Sequence, residues 1–253
     1  MSFVPTLPID FTQPANVKHE LLDADQNVRD EFARALDPEL DQLAVALAAA
    51  FNAFPAILAV AARLPTPRTA LVAGFAFGVI DDVVVSTKLL LSGKGPAAGN
   101  TMRQAIEGVA MAVLCSTDTP LILQKAGKAP PRTACYWQKL DQCDPCTQGH
   151  HALKQLDWNA RTLQISADAI TALRGAQQHY HQFSHCGPLT IGLRNMLTGP
   201  KMTWLGGQFD PAKLEWYRVE MRERIALARQ LQVIFAYLLR RMTPPGPSNG
   251  AVA

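Results

Sequence analysis

A short segment near residue 180 carries the highest density of side chains that can transfer protons. Three of the six histidines lie within seven residues there, beside other polar groups: His179, Tyr180, His181, Ser184, His185 and Cys186. On a helix, residues four apart share one face, which pairs His181 with His185 and Tyr180 with Ser184. Because imidazole titrates near neutral pH, His185 is the first candidate for a general acid or base. The alternative is that these histidines cap and solvate a helix end.

A basic and an acidic residue four positions apart form a second candidate site. Arg103 and Glu107 would emerge from the same helix face, beside an apolar stripe. A guanidinium that a carboxylate orients presents a planar fork of donors that suits a phosphate. The alternative is an ordinary ion pair, which stabilises a helix by roughly 0.2–0.5 kcal/mol.

Cysteines and histidines suggest a different site in the middle of the chain. Cys143 and Cys146 are spaced as half of a zinc site, and His150 follows closely. The other half would have to come from tertiary neighbours, for which the candidates are Cys135, Cys186, His181 and His185. Plain loop cysteines are the alternative, so the sequence predicts no cofactor unless a structural zinc binds here.

Helix signals account for nearly the whole chain. Asp-Pro and Thr-Pro pairs and apolar residues at helical spacing predict helices over about 23–36, 37–63, 66–92, 100–115, 133–140, 150–173 and 210–242, with weaker helical signal between 180 and 196. The prolines in residues 1–20 predict an extended arm. Residues 244–253 are predicted to form a disordered tail. We therefore expect an all-α fold, with one helical bundle over 21–243.

Composition limits the function classes. The 253 residues are 48% hydrophobic and carry a net charge of +3, which is too mild a bias to identify a nucleic-acid binder by itself. Arginines on the last helix, interleaved with glutamates, indicate a solvated face that could support RNA contacts or pair with its copy in a homodimer: Arg218, Arg222, Arg224, Arg229, Arg240 and Arg241.

One apolar stretch meets the length criterion for a membrane span. Residues 43–62 carry no charge, but half of them are alanine, and Asn52 and Pro55 lie near the middle. The next apolar run, 69–80, stops at Asp81 and Asp82 and is too short for a second span. We expect a buried helix and no membrane partner. No secretory signal is evident, so we also expect reduced cysteines and a cytoplasmic location.

The segment from Lys88 to Gly93, followed by the helix with Arg103 and Glu107, resembles bacterial HEPN-like helical proteins, including AbiV-type abortive-infection families. Those proteins have a leucine-glycine turn and then an Arg-x-x-x-Glu helix. Their later element, an aromatic residue followed by Ser and His before a proline, is similar to Tyr180, Ser184 and His185 ahead of Pro188. The resemblance covers residues 66–196.

The resemblance implies a defence or stress module linked to RNA or nucleotides. Catalytic HEPN proteins cleave RNA without metal, using an Arg and a His four to six residues later, often across a dimer interface. Arg174 and His179 have that spacing, although glycine follows the Arg where a polar residue is usual. The alternatives are a non-catalytic helical interaction or scaffold protein, or a membrane-associated helical protein.

The resemblance and the helix faces together predict one polar pocket. We expect Arg103, Glu107 and His185 to meet across two helices, with Ser184 and Tyr180 at the rim.

Overall fold

Helices make up almost all of the regular structure, which confirms the all-α class. The computed structural model describes residues 10, 12–127, 130–197 and 205–243. In chain order the described helices are α1 (Pro14–Leu22), α2 (Gln26–Ala35), α3 (Asp37–Arg63), α4 (Pro67–Leu91), α5 (Gly95–Cys115), α6 (Tyr136–Asp141), α7 (Gly149–Trp158), α8 (Ala160–Leu163), α9 (Ala167–His181), α10 (Pro188–Gly192) and α11 (Leu214–Met242).

Proline and polar caps mark the starts of the long helices. In α4 the hydroxyl of Thr66 accepts from the backbone N–H of Thr69, whose own hydroxyl accepts from the N–H of Thr66. This reciprocal pair satisfies two backbone donors that a helix start leaves free. Helix α5 starts five residues earlier than the sequence predicted, because Pro96 occupies its first turn, where a missing N–H costs nothing.

The core lies between the long helices. Helix α5 packs along α4, and α11 packs along α3, while α7 and α9 cover the other side of α5. Helix α5 is the most enclosed element, with Met102, Ile106 and Val109 buried on one face and Ala105 and Ala112 on another. A helix that is apolar on several faces belongs in the middle of a bundle. Arg103 and Glu107, which are discussed below, therefore lie on the central helix of the bundle.

The middle of the chain differs from the sequence prediction. Two strands, β1 (Leu121–Gln124) and β2 (Arg132–Ala134), form a small antiparallel hairpin where no strand was expected. The helix predicted over 150–173 is broken into α7, α8 and α9. At the first break the Asn159 carboxamide accepts from the N–H of Ile122 and donates to its carbonyl, at 2.9 and 3.0 Å. This contact with β1 ends α7, and Gln164 then adopts the left-handed conformation.

The N-terminal prediction is partly wrong. Residues 14–20 belong to α1 and not to an extended arm, because Pro14 sits in the first turn, where its missing N–H removes no helical hydrogen bond. The predicted arm at 1–9 and tail at 244–253 lie outside the described residues.

Helices α3 and α4 are both long and apolar enough to cross a membrane, by length and composition. The expectation that the second apolar run is too short is therefore wrong, since α4 continues through Asp81 and Asp82 to Leu91. Each helix has its own most apolar 18-residue window. The buried share of that window is 33% in α3 and 44% in α4. Buried core helices of soluble proteins pass the same criterion. Several apolar side chains on the outer faces are exposed: Val45, Phe51, Leu58, Phe77 and Val85.

Two glycines bring the loop before α11 against the turn between α4 and α5. Gly93 has a φ of 70°, and a Cβ there would lie 2.2 Å from the backbone nitrogen of Gln208. A Cβ on Gly207 would lie 1.9 Å from the carbonyl oxygen of Ser92. Because only glycine permits this backbone approach, the leucine-glycine turn noted in the sequence fixes the start of α5.

Candidate functional site

Three of the polar residues singled out in the sequence lie together between α5 and the end of α9. Nε of Arg103 donates to Oε1 of Glu107 at 2.9 Å, and Nη1 of Arg103 donates to Oγ of Ser184 at 2.6 Å. The side chains of Arg103 and Glu107 are 17% and 16% exposed, so this cluster faces solvent only partly. The guanidinium is held from two sides, while its Nη2 makes no hydrogen bond to any residue that the structure describes.

Two close contacts between neighbouring elements position the side chains of this cluster. Gly99, one turn before Arg103, is covered by the Phe183 ring: a Cβ on Gly99 would lie 2.3 Å from that ring. Gly149, the first residue of α7, lies against Glu107, since a Cβ there would come within 2.9 Å of Oε2. The carboxylate therefore sits beside the start of a helix, where the helix dipole favours negative charge. The Arg103 guanidinium is thus oriented by groups from three helices or their ends.

The other members of the predicted pocket are placed differently. His185 follows Ser184 directly, but its ring is exposed and lies against the ring of His181, with centroids 5.2 Å apart. Tyr180, which was expected at the rim, is fully buried. That expectation is wrong because Tyr180 points into the interior, where burial raises the pKa of its phenol far above the usual range.

Arg174 and His179 do not share a site in the described structure. They lie about 140° apart around α9, since each residue advances about 100° along a helix. Nη2 of Arg174 donates to Oδ2 of Asp157 on α7 at 2.6 Å, whereas Nε2 of His179 lies 2.8 Å from Oε1 of Glu220 on α11. A carboxylate from a different helix thus holds each residue. The Arg-x4-His spacing corresponds to two separate ion pairs within this chain.

A charged network that the sequence analysis missed continues inward from His179. Nη1 of Arg224 donates to Oε2 of Glu220 at 2.9 Å, and both side chains are at most 1% exposed. Nη2 of Arg224 donates to Oγ of Ser86 at 2.7 Å, and Ser86 in turn donates to the carbonyl of Ala98. The expectation that Arg224 lies on the solvated basic face is therefore wrong.

The sequence does contain a pattern that could have predicted the buried pair of Glu220 and Arg224. Glu220 and Arg224 are four residues apart and fall within the same apolar stripe as Tyr217, Met221 and Ala228. Charged residues on the buried face of a helix must pair, because an isolated buried charge is very costly.

This network predicts a pH-dependent stability. The neighbouring Glu220 raises the pKa of His179 above its ordinary value of 6.5. The pKa of Glu220 is lowered: burial opposes ionisation, but the hydrogen bonds and charges of His179 and Arg224 outweigh it. The stabilisation from His179 should be complete below about pH 6.5. It should disappear as the pH rises through the higher pKa that His179 has in the folded protein. The Glu220 contribution should persist above about pH 4.5 and be lost in acid.

Urea unfolding at several pH values tests this prediction. The difference in free energy of unfolding between wild type and His179→Gln should shrink as the pH is raised from about 6 to 9. His150→Gln, which replaces an exposed histidine, is the matched control. A difference that stays constant or grows across that range would contradict the prediction.

The predicted zinc ligands do not converge. Cys143 is exposed, and the thiol of Cys146 accepts from Nη1 of Arg132 at 3.0 Å. Across residues 12–127, 130–197 and 205–243 no group of three or more His, Cys, Asp or Glu residues is placed to hold a metal ion. The ring of His150 lies against that of His151, with the two ring planes tilted by 49°. The described residues thus supply no zinc site from Cys143, Cys146 and His150.

Comparisons with protein-family models, with curated proteins and with solved structures gave no match.

Proposed function

We propose that this chain binds RNA at the Arg103 cluster, defined as Arg103, Glu107 and Ser184, and cleaves it without a metal ion. The observation that carries the proposal is the held guanidinium: Glu107 and Ser184 fix Nε and Nη1 of Arg103, while Nη2 has no partner among the described residues. A fixed arginine with a free donor in a partly exposed site suits a phosphate. The resemblance to HEPN-like proteins supports the same substrate class.

The Ser184 hydroxyl adds a second donor. Its oxygen accepts from Arg103, so its own proton is left to donate outward. A phosphate placed against Nη2 of Arg103 would therefore meet two donors. Charge that develops on the phosphate during cleavage would be stabilised by groups that are already oriented.

His185 supplies the proton chemistry in this proposal. It is exposed and adjacent to Ser184 in the chain, whereas His179 is engaged with Glu220. An exposed imidazole beside a bound phosphodiester can remove the proton of a 2′-hydroxyl, whose oxygen then attacks the phosphorus. The P–O5′ bond breaks, which leaves a 2′,3′-cyclic phosphate, and the departing 5′-oxygen takes up a proton from water. No metal is needed for that step. His185 is accordingly the preferred base.

RNA binding tests the proposal. Arg103→Ala should weaken the binding of a single-stranded RNA roughly tenfold. It should also reduce by about one the number of counterions released on binding, which the salt dependence of the affinity measures. Arg174→Ala is the matched control, since it removes an arginine that pairs with Asp157 on α7 and not with a member of the Arg103 cluster. The measurement is fluorescence anisotropy of a labelled oligonucleotide at several salt concentrations. Equal affinities for both variants, or no binding by wild type, would contradict the proposal.

A second candidate function is a non-catalytic helical interaction protein. The observation that favours it is the uncharged stretch 43–62 of α3, where Val45 is 73% exposed and Phe51 is 47% exposed. Exposed apolar surface of this kind often marks an interface. Light scattering separates the candidates: a homodimer that Phe51→Glu converts to monomer, with no RNA binding, would favour the interaction protein.

A further inference from the structure

A row of basic and aromatic side chains runs along the outer face of α7. His150, Lys154 and Trp158 are four residues apart, so they lie above one another on one side of the helix. His150 and Lys154 are exposed, and Trp158 is half-buried. The only acidic residue of α7, Asp157, is turned toward α9, where Nη2 of Arg174 donates to its carboxylate at 2.6 Å. The row itself therefore carries no negative charge.

A second lysine reaches the end of this row from the hairpin. Lys125 directly follows β1, and α7 holds β1 in place: Nε2 of Gln155 donates to the carbonyl of Leu123 at 2.9 Å. Nζ of Lys125 lies 5.3 Å from the centre of the Trp158 ring, and Nζ of Lys154 lies 5.2 Å from it. An ammonium group is attracted by the negative face of an indole ring. Trp158 therefore holds two positive charges close together.

The two ammonium groups have no acidic partner. Neither Lys125 nor Lys154 makes a hydrogen bond or an ion pair with any residue that the structure describes. Like charges this close repel each other, so an anion that contacts both lowers the energy of the pair. The charge of this surface thus suits a partner with several negative groups.

The row begins beside the Arg103 cluster. Gly149, the residue before His150, lies against Glu107, since a Cβ on Gly149 would come within 2.9 Å of Oε2. From Gly149 to Trp158 the helix is about 14 Å long, at 1.5 Å per residue. A nucleic-acid strand with one phosphate at Arg103 can therefore continue along α7 to the two lysines. Single strands are commonly held in this way, by a basic track with an aromatic ring beside it.

We propose that the basic row, defined as His150, Lys154, Trp158 and Lys125, holds the backbone of a single-stranded RNA that continues from the Arg103 cluster. Lys125 and Lys154 contact its phosphates, and Trp158 positions both ammonium groups. This inference rests on the proposed function, because the Arg103 cluster supplies the first phosphate contact. It adds that the chain binds a strand of several nucleotides and not a lone nucleotide.

The double change Lys125→Gln and Lys154→Gln tests the row. It should weaken the binding of a 2′-O-methyl RNA octanucleotide roughly tenfold or more. In single strands each phosphate contact contributes about 0.7 to the slope of log affinity against log salt concentration, so the slope should fall by about 1.4. The matched control is Lys18→Gln with Lys88→Gln, which removes two exposed lysines from α1 and α4. Fluorescence anisotropy of the labelled octanucleotide measures both quantities.

Three results of this assay would overturn the inference, and they differ in what they say of the proposed function. Equal affinities for the two double variants, while Arg103→Ala still weakens binding, would leave the proposed function standing. No octanucleotide binding by wild type would overturn both. A poly-glutamate peptide that binds wild type as tightly as the octanucleotide does, and loses affinity in Lys125→Gln with Lys154→Gln, would assign the row to an acidic protein partner.

The indole N–H signal of Trp158 reports on the row directly. In ¹⁵N-tryptophan-labelled protein this resonance is assigned by its absence from Trp158→Phe. A saturating octanucleotide should shift it, whereas the resonance of Trp137, whose indole N–H donates to Asp118 at 2.9 Å, should stay in place. An unchanged Trp158 resonance in the presence of bound RNA would place the strand elsewhere and overturn the inference.

Discussion

Replacing Arg224 by methionine is expected to lower the free energy of unfolding by about 3–5 kcal/mol, the usual cost of breaking a buried ion pair by removing one partner. The change leaves the Glu220 carboxylate buried with only His179 beside it, and it takes the donor away from Ser86. Methionine keeps much of the arginine volume, so lost packing contributes little. Urea denaturation at constant pH measures the loss.

Arg222→Met is the matched control for this prediction. Arg222 lies two residues earlier on α11 and pairs with Glu215 on the surface, where the two side chains are 56% and 71% exposed. Exposed pairs contribute only about 0–1 kcal/mol. The double change Arg224→Met and Glu220→Leu should recover most of the stability, since it removes both buried charges. A loss in Arg224→Met no larger than in Arg222→Met would show that the buried pair is not a stabilising element.

Replacing His185 by alanine is expected to slow RNA cleavage by about a hundredfold or more, the usual contribution of a general base. The assay is single-turnover cleavage of an RNA oligonucleotide in EDTA. Arg103→Ala should reduce the rate comparably, because the guanidinium stabilises charge in the transition state. His185 is exposed, whereas the Arg103 side chain is only 17% exposed, so circular dichroism checks the folding of both variants.

His179→Ala and Arg174→Ala are the controls in the same assay. Since each residue pairs with a carboxylate away from the Arg103 cluster, each variant should retain wild-type cleavage once folding is confirmed. A loss in these two variants with normal rates in His185→Ala would instead favour the Arg-x4-His pair, acting between two copies of the chain. Equal rates in all variants, or no cleavage by wild type, would contradict the nuclease proposal.

The long helices could be predicted because local chemistry determines their ends. Asp37-Pro38 and Thr66-Pro67 place proline in a first turn, and the apolar stripe of α11 from Tyr217 to Met242 is buried as its spacing predicted. The middle third could not be predicted in the same way. There Asn159 ends α7 through a contact with Ile122, 37 residues earlier in the chain. Sequence periodicity does not reveal a long-range hydrogen bond.

The candidate site was predictable only in part, for a similar reason. The pairing of Arg103 with Glu107 follows from their spacing on one helix, whereas the approach of Ser184, 81 residues from Arg103 in the chain, was predicted only with the help of the family resemblance. The positions of Tyr180 and Arg224 depend on which side of each helix faces the core. The position of Arg224 among glutamates predicts a solvated side chain, although three of its four neighbours at a distance of three or four residues, Met221, Leu227 and Ala228, are apolar.

The measurement that tests the central proposal most directly is the side-chain NMR signal of Arg103 during titration with RNA. In ¹⁵N-arginine-labelled protein, the Nε–H resonance of Arg103 is assigned by its absence from Arg103→Lys. Adding a 2′-O-methyl RNA tetranucleotide, which cannot be cleaved through its 2′-hydroxyl, should shift this resonance at saturation while that of Arg174 stays in place. An unchanged Arg103 resonance in the presence of bound RNA would place the binding site elsewhere and contradict the proposal.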